Sequence, residues 1–245
     1  RHVITKFSDY HITTNNKYKN RILSLFKNKK NIFNFGSIGA ENLKKLKYLS
    51  KEKILSKLGI FNKKDIILVT FHPETNSLKS YKFQIETFLS SLKKFNNYHF
   101  VFTASNGDPG GDLFNSRIKK FVRLNENSSF FYTLGTQNYL NVMKFSKMII
   151  GNSSSAIIES PSFNIPVLNI GSRQNGREFS KNILSCEINK AIIENKIKKL
   201  SSFKKKKLKK LNLNYKKNSL LNTSNKILNL VKKQKEFKYF YDNKK

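Results

Sequence analysis

A chain of 245 residues, 38% hydrophobic and 13% aromatic, is long enough to bury one large core or two modest ones. Its 48 Lys and Arg against 15 Asp and Glu give a net charge of +33, but the cations are spread among Asn and Ile along most of the chain, which reads as a solvated surface rather than a nucleic-acid or membrane face. One cysteine, Cys186, excludes an internal disulfide framework and fits a reducing cytoplasm, and no apolar run approaches the ~18 residues of a membrane span.

The chain opens on Arg1, without a signal-peptide pattern, and HVITKFSDYHITT reads as the interior of a longer protein. Short strands are expected at residues 10–13 and 31–35, around a helix from Lys17 to Phe26. A polar-apolar helical stretch then runs from Glu41 to Leu58 and stops at Gly59, where a domain boundary is placed. Beyond it, strands at Ile66–Phe71, His99–Thr103, Met148–Ile150 and Pro166–Ile170 alternate with helices at Phe83–Phe95, Asp112–Val122, Tyr139–Phe145 and Ser154–Phe163. The near-continuous apolar run of the first strand suits a parallel strand buried on both faces. The alternation predicts a Rossmann-like, doubly wound parallel α/β sheet over residues 59–200. Residues 201–245 lack Gly and Pro and read as basic amphipathic helices, including the run Lys204–Lys207.

Five features of this sheet could carry chemistry. Gly151-Asn152-Ser153-Ser154-Ser155 follows a strand and opens a helix, a turn whose free N–H groups and positive dipole end suit a phosphate. Glu159, one turn after Ser155, suits a ribose diol rather than a phosphate. Only six basic residues are Arg, and two of them, Arg173 and Arg177, share a loop after the strand ending at Ile170, placed to contact an oxyanion. His72 directly follows the first inner strand, in the crevice where such sheets bind ligands, while His11 and His99 sit within apolar strands and read as packing residues. The loop from Thr103 to Gly111 is glycine-rich but lacks the P-loop pattern; Asn106 or Asp108 would face the same crevice. No Cys/His cluster indicates a metal, and no cofactor is expected.

RHVITK, FGSIGAEN, FHPET, SNGDPGG, GNSSSAIIE and PVLNIGSRQNGRE, in that order from Arg1 to about Leu184, resemble the UDP-N-acetylglucosamine 2-epimerases, specifically the hydrolysing branch that feeds sialic- and legionaminic-acid-type synthesis. The resemblance implies the C-terminal, UDP-binding half of a two-domain, glycosyltransferase-B-like fold, with residues 1–58 as the tail of the first domain and the linker. It implies UDP contacts at His72, Asn106, Leu134, Ser153, Ser154, Glu159 and Arg173, and an arginine of the catalytic cleft at Arg1. It further implies elimination of UDP across C1–C2 of the sugar followed by addition of water, with the catalytic carboxylates upstream of Arg1. The fragment alone would then be inactive. The partners so implied are a UDP-sugar substrate, the missing N-terminal domain and a second copy in a homodimer, without specific nucleic acid or a membrane span. Competing readings are the non-hydrolysing branch, a glycosyltransferase-B-type transferase, and a basic nucleic-acid or membrane-surface module motivated by the charge of +33.

Overall fold

The computed structural model describes residues 2–26, 30–203 and 214–232. The chain forms two compact units, residues 1–45 with 213–245, and residues 46–212. In the first, α1 (His2–Phe7), β1 (His11–Thr13), α2 (Asn16–Leu23), β2 (Ile32–Asn34) and α3 (Ile38–Asn42) follow in order, and β1 pairs in parallel with β2. Asn15 and Ser37 cap α2 and α3 through side-chain oxygens, as expected of N-cap residues.

The second unit opens with α4 (Lys51–Lys57), which buries Ile54 and Leu55. The expected helix over Glu41–Leu58 is therefore two helices, because Ser50 accepts a bond from the Lys53 N–H and starts a new one. The units part after residue 45, not after 58, since α4 packs within the second unit against a helix of the sheet.

Six parallel strands follow: β3 (Asp65–Thr70), β4 (Tyr98–Thr103), β5 (Ser128–Phe131), β6 (Met148–Gly151), β7 (Val167–Ile170) and β8 (Ile183–Cys186). Their order is β5-β4-β3-β6-β7-β8, the doubly wound arrangement expected from the alternation. The connecting helices are α5 (Tyr81–Leu92), α6 (Gly111–Arg123), α7 (Gly135–Phe145), α8 (Ser154–Ile158), α9 (Ser160–Phe163) and α10 (Lys190–Ser201). Ile67 and Val69 join Phe88, Phe114, Ile118 and Ile193 from α5, α6 and α10 in one buried cluster. The alternate strand residues Ile66 and Leu68 are equally buried and serve the opposite face, where α7 packs on β3 and α4 on α7.

Two edge strands, β5 and β8, and α10 are absent from the expected elements. Ser128-Ser129-Phe130-Phe131 and Ile183-Leu184-Ser185-Cys186 are only partly buried, so their apolar pattern is diluted. The expected helix Ser154–Phe163 breaks at Glu159, and α9 restarts with Pro161 in its first turn, where a missing N–H costs little. Finally α11 (Ser219–Val231) returns the chain to the first unit, where the Glu41 carboxylate accepts from the Leu220 N–H at 2.9 Å. Of the region after residue 201, read as basic helices, Ser219–Val231 is a helix grouped with the first unit, and Lys204–Lys207 lies outside the described residues. No helix among the described residues is long and apolar enough to cross a membrane.

The strand order reverses between β3 and β6, which places a crevice at their carboxyl ends. Gly151 ends β6 at φ +139, and a Cβ there would lie 1.9 Å from the Thr70 carbonyl oxygen. Only glycine lets the two strands stay paired to their last residue. Gly151→Ala is expected to cost on the order of 2–4 kcal/mol of stability, read as a lowered urea midpoint.

Candidate functional site

Beyond Gly151 the backbone ladder gives way to a side chain. Asn152, 1% exposed, accepts from the His72 N–H through Oδ1 at 2.7 Å and donates to the His72 carbonyl through Nδ2 at 2.8 Å. This holds the His72 peptide rigidly and so aims its ring. Nδ1 of that ring accepts from the Asn106 N–H at 3.1 Å, with the Ser105 hydroxyl 3.3 Å away. Burial, aided by the Arg173 charge and opposed by Asp108, pushes the imidazole pKa from 6.5 down to about 4. His72 is therefore neutral near pH 7, and with Nδ1 accepting, its proton sits on Nε2.

The glycine-rich loop after β4 is folded back by Asn115 of α6, whose Oδ1 accepts from the Ser105 N–H at 2.7 Å. Within it, Asn106 Nδ2 donates to Asp108 at 2.7 Å, and Asp108 pairs with Arg173 at 3.3 Å. Those two partners, Asn106 first, hold the Asp108 carboxyl below its ordinary value. Arg173 Nη1 also lies 3.5 Å from the Asn152 carbonyl, which takes a 2.7 Å bond from Gln174 Nε2. His72, Asn106, Asp108, Arg173 and the serine turn are thus brought to one crevice, drawn from the ends of β3, β4, β6 and β7. Arg177 closes its own turn through a 3.1 Å backbone bond to Gln174.

Ser153 caps α8, accepting from the Ser155 N–H at 3.4 Å, and Ser154 is the first helical residue. With five residues, α8 carries far less dipole than the single ten-residue helix expected from the sequence, so the site depends on local amides and Arg173 instead. Ser155 donates its hydroxyl to Glu159, one turn on, as the spacing predicts. A cavity of about 350 Å³ opens beside them, lined by Thr103, Leu134, Tyr139, Ser155 and Glu159 among others. Burial raises the Glu159 carboxyl above its ordinary value against the opposing Ser155 bond. Leu134 caps α7 in front of Gly135, which sits at φ +64. Tyr139, which the sequence marked only as the start of a helix, is partly buried, and its buried hydroxyl lacks a hydrogen-bond partner of good geometry amid the hydroxyls of Ser155, Thr70 and Ser153.

The remaining candidates fall elsewhere. His99 is buried between Asn62 at 2.7 Å and Ser129 at 2.9 Å, a packed strand residue as expected, and burial lowers its pKa to about 4. His11 lies against Phe26 with ring centroids 4.9 Å apart, in the first unit. Arg1 lies outside the described residues. Among the described residues no group of three His, Cys, Asp or Glu is placed to hold a metal ion. Cys186 is a poor nucleophile, its thiol pushed up to about 11 by burial. Asn152, Glu74 and Gln174 were not singled out from the sequence, although each lies within a motif quoted above; their only signal was adjacency to His72, Ser153 and Arg173.

The model of the UDP-N-acetylglucosamine 2-epimerase family matches residues 1–232. This chain belongs to that family. A Campylobacter jejuni protein named GDP/UDP-N,N'-diacetylbacillosamine 2-epimerase (hydrolyzing) is 38% identical over 190 residues, covering 77% of this chain and 50% of that protein. The polysialic acid biosynthesis protein P7 of Escherichia coli is 36% identical over 99% of this chain and 62% of its own length. The chain thus spans about half to three fifths of the curated relatives it matches. Among solved structures, UDP-GlcNAc 2-epimerase from Neisseria meningitidis, bound to UDP-GlcNAc, aligns with a TM-score of 0.72 at 17% identity, over 94% of this chain and 64% of that one. That likeness establishes the epimerase fold, of the glycosyltransferase-B type, in which the six-stranded sheet is one Rossmann-like part.

His72 and His99, the buried histidines of this epimerase-family chain whose pKa values are lowered, make a signed prediction. Between pH 6.5 and about 4 the unfolded chain binds protons that folded His72 and His99 do not, so both make stability rise with pH in that window. Melting temperature is expected to fall on acidification through it, and a His72→Gln/His99→Gln variant to show a shallower slope. An unchanged slope in thermal melts across that range would remove both imidazoles as its cause.

Proposed function

We propose that this chain supplies the UDP-binding half of a hydrolysing UDP-sugar 2-epimerase, acting on UDP-N-acetylglucosamine or a related UDP-sugar in nonulosonic-acid biosynthesis. The products are UDP and an N-acetylmannosamine-type sugar. The observation that carries this reading is the convergence of a neutral His72, proton on Nε2, with Arg173 and the Ser153 turn at the switch-point crevice. Hydrolysing 2-epimerase activity in the names of relatives from Campylobacter jejuni and Legionella pneumophila supports the reaction class.

In this reading the diphosphate lies on the Ser153 and Ser154 turn, with Arg173 supplying fixed positive charge and His72 a neutral N–H donor. Asn106 holds the His72 ring, leaving only Nε2 to donate. As the C1–O bond breaks, charge grows on the departing diphosphate, and these preorganised donors stabilise it. Leu134 and Glu159 hold the nucleoside in the neighbouring cavity, where the Glu159 carboxylate accepts from the ribose diol while Ser155 orients it. Arg1 serves the catalytic cleft, and the carboxylates that move protons at C2 come from the N-terminal half. A homodimer is part of the same proposal.

Isothermal calorimetry with UDP tests the site. Arg173→Ala is expected to weaken binding by about 10- to 100-fold and Ser153→Ala by about 3- to 10-fold, the range of charge-assisted and neutral hydrogen bonds. Unchanged affinity in both would remove the site. With the N-terminal half supplied, UDP-N-acetylglucosamine should yield free UDP and N-acetylmannosamine by product chromatography. Accumulation of UDP-N-acetylmannosamine without free UDP would assign the chain to the non-hydrolysing branch.

A further inference from the structure

Glu74 is 7% exposed, yet it forms no ion pair among the described residues. A buried carboxylate without a cation is costly unless donors surround it. Here they do. Oε1 accepts from the N–H groups of Ser172 and Arg173, the latter at 2.9 Å, and Oε2 from the Ser172 hydroxyl at 3.2 Å. Successive N–H groups turned to one point form a cradle for an anion. In this loop the chain fills that cradle itself. Gly171 makes the approach feasible: it sits at φ +82, and a Cβ there would lie 2.1 Å from Glu74 Oε1.

The other end of Glu74 is fixed just as firmly. Its N–H donates to Gln84 Oε1 at 2.9 Å, and Gln84 Nε2 donates to the Glu74 carbonyl at 3.3 Å and to the Lys79 carbonyl at 2.9 Å. Gln84 is fully buried on α5. A rigid strut therefore runs from α5 through Glu74 to the backbone of Arg173. Two residues before Glu74, the same segment carries His72.

We infer that Glu74 is a positioning residue: its carboxylate occupies the amide cradle after β7, sets Arg173 against His72, and leaves the guanidinium rather than those amides to meet the ligand. The inference rests on the UDP reading above and deepens it, since it specifies which groups of the loop are open to a diphosphate.

A double-mutant cycle on the full chain, read as UDP affinity by calorimetry, tests it. Glu74→Ala should weaken binding about 10-fold or more, while Glu74→Gln, whose oxygen can still accept from both amides, should retain most of it. In an Arg173→Ala background, Glu74→Ala should change affinity by less than about 2-fold, because the effect passes through Arg173. Equal losses in both backgrounds would show only a general structural role and overturn the assignment. Should Glu74→Ala not fold, Glu74→Asp, one methylene too short to span the cradle, takes its place in the cycle. Independently of any ligand, hydrogen exchange of the Ser172 and Arg173 amides should accelerate in Glu74→Ala, or in Glu74→Asp in its place, while the amides of β4 stay protected. Unchanged exchange would also overturn it. A wild-type chain that does not bind UDP, together with the exchange effect in the Glu74 variants, would sink the UDP reading and leave Glu74 holding the loop.

Discussion

The crevice depends on one carboxamide. Where β3 and β6 end, the backbone ladder can no longer continue, and Asn152 replaces its next rung with two side-chain bonds to the His72 peptide. Each such bond contributes about 1 kcal/mol net, but losing either would strand a buried backbone group at a cost of about 1–3 kcal/mol. The Asn152 carbonyl in turn receives Gln174 and lies within reach of Arg173. Strand ends that could diverge are thereby kept together, and polar groups from the ends of β3, β6 and β7 share one rigid floor.

The electrostatics of that floor are set by burial rather than by net charge. A chain at +33 has abundant lysine, yet a dispersed, solvated ammonium is screened within roughly 8–10 Å at physiological salt. His72 cannot add a charge near neutrality because desolvation and Arg173 both disfavour its imidazolium. Among the described residues Arg173 therefore brings positive charge to the crevice, and Asp108 and Glu74 constrain it at opposite ends, guanidinium and backbone. The neighbouring cavity has the reverse character, with Glu159 made less acidic by burial and suited to neutral hydroxyls. This polar division, a guanidinium at the switch point and a less acidic carboxyl beside α7, is what the proposed nucleoside-diphosphate reading rests on.

Membership of the 2-epimerase family adds the frame in which these groups act, and the chain spans about half to three fifths of the curated relatives it matches. In the proposed mechanism, the donors that stabilise a departing diphosphate lie on this Rossmann-like sheet. Groups that abstract and return a proton at the sugar belong, in the proposed mechanism, to the opposite domain. Neither set needs to be strong alone, because closure of a cleft raises the effect of both by excluding water.

The inner strands, their parallel doubly wound class and the turn residues were legible in the sequence because each rests on local or periodic signals, whereas the order of the strands was not. Ile66–Phe71 is apolar on both faces, Gly151 precedes a run of serines, and Arg173 stands out in a lysine-rich chain. Glu159 beneath Ser155 follows from helical spacing alone. The edge strands β5 and β8 were not legible, since half-exposed strands have no obligation to be apolar. Nor was the break at Glu159, where Pro161 could either continue a kinked helix or begin a new one, and packing decided. Asn152, Glu74 and Tyr139 were read past for a different reason: their partners lie 80, 98 and 99 residues away in the first two cases, and in the third only burial gives the hydroxyl meaning. The sequence determined which chemistry was present and at which strand ends. Only the tertiary structure decided which of those groups are spent holding the fold and which are left for a ligand, because satisfaction of a buried donor or acceptor is a property of its neighbours in space.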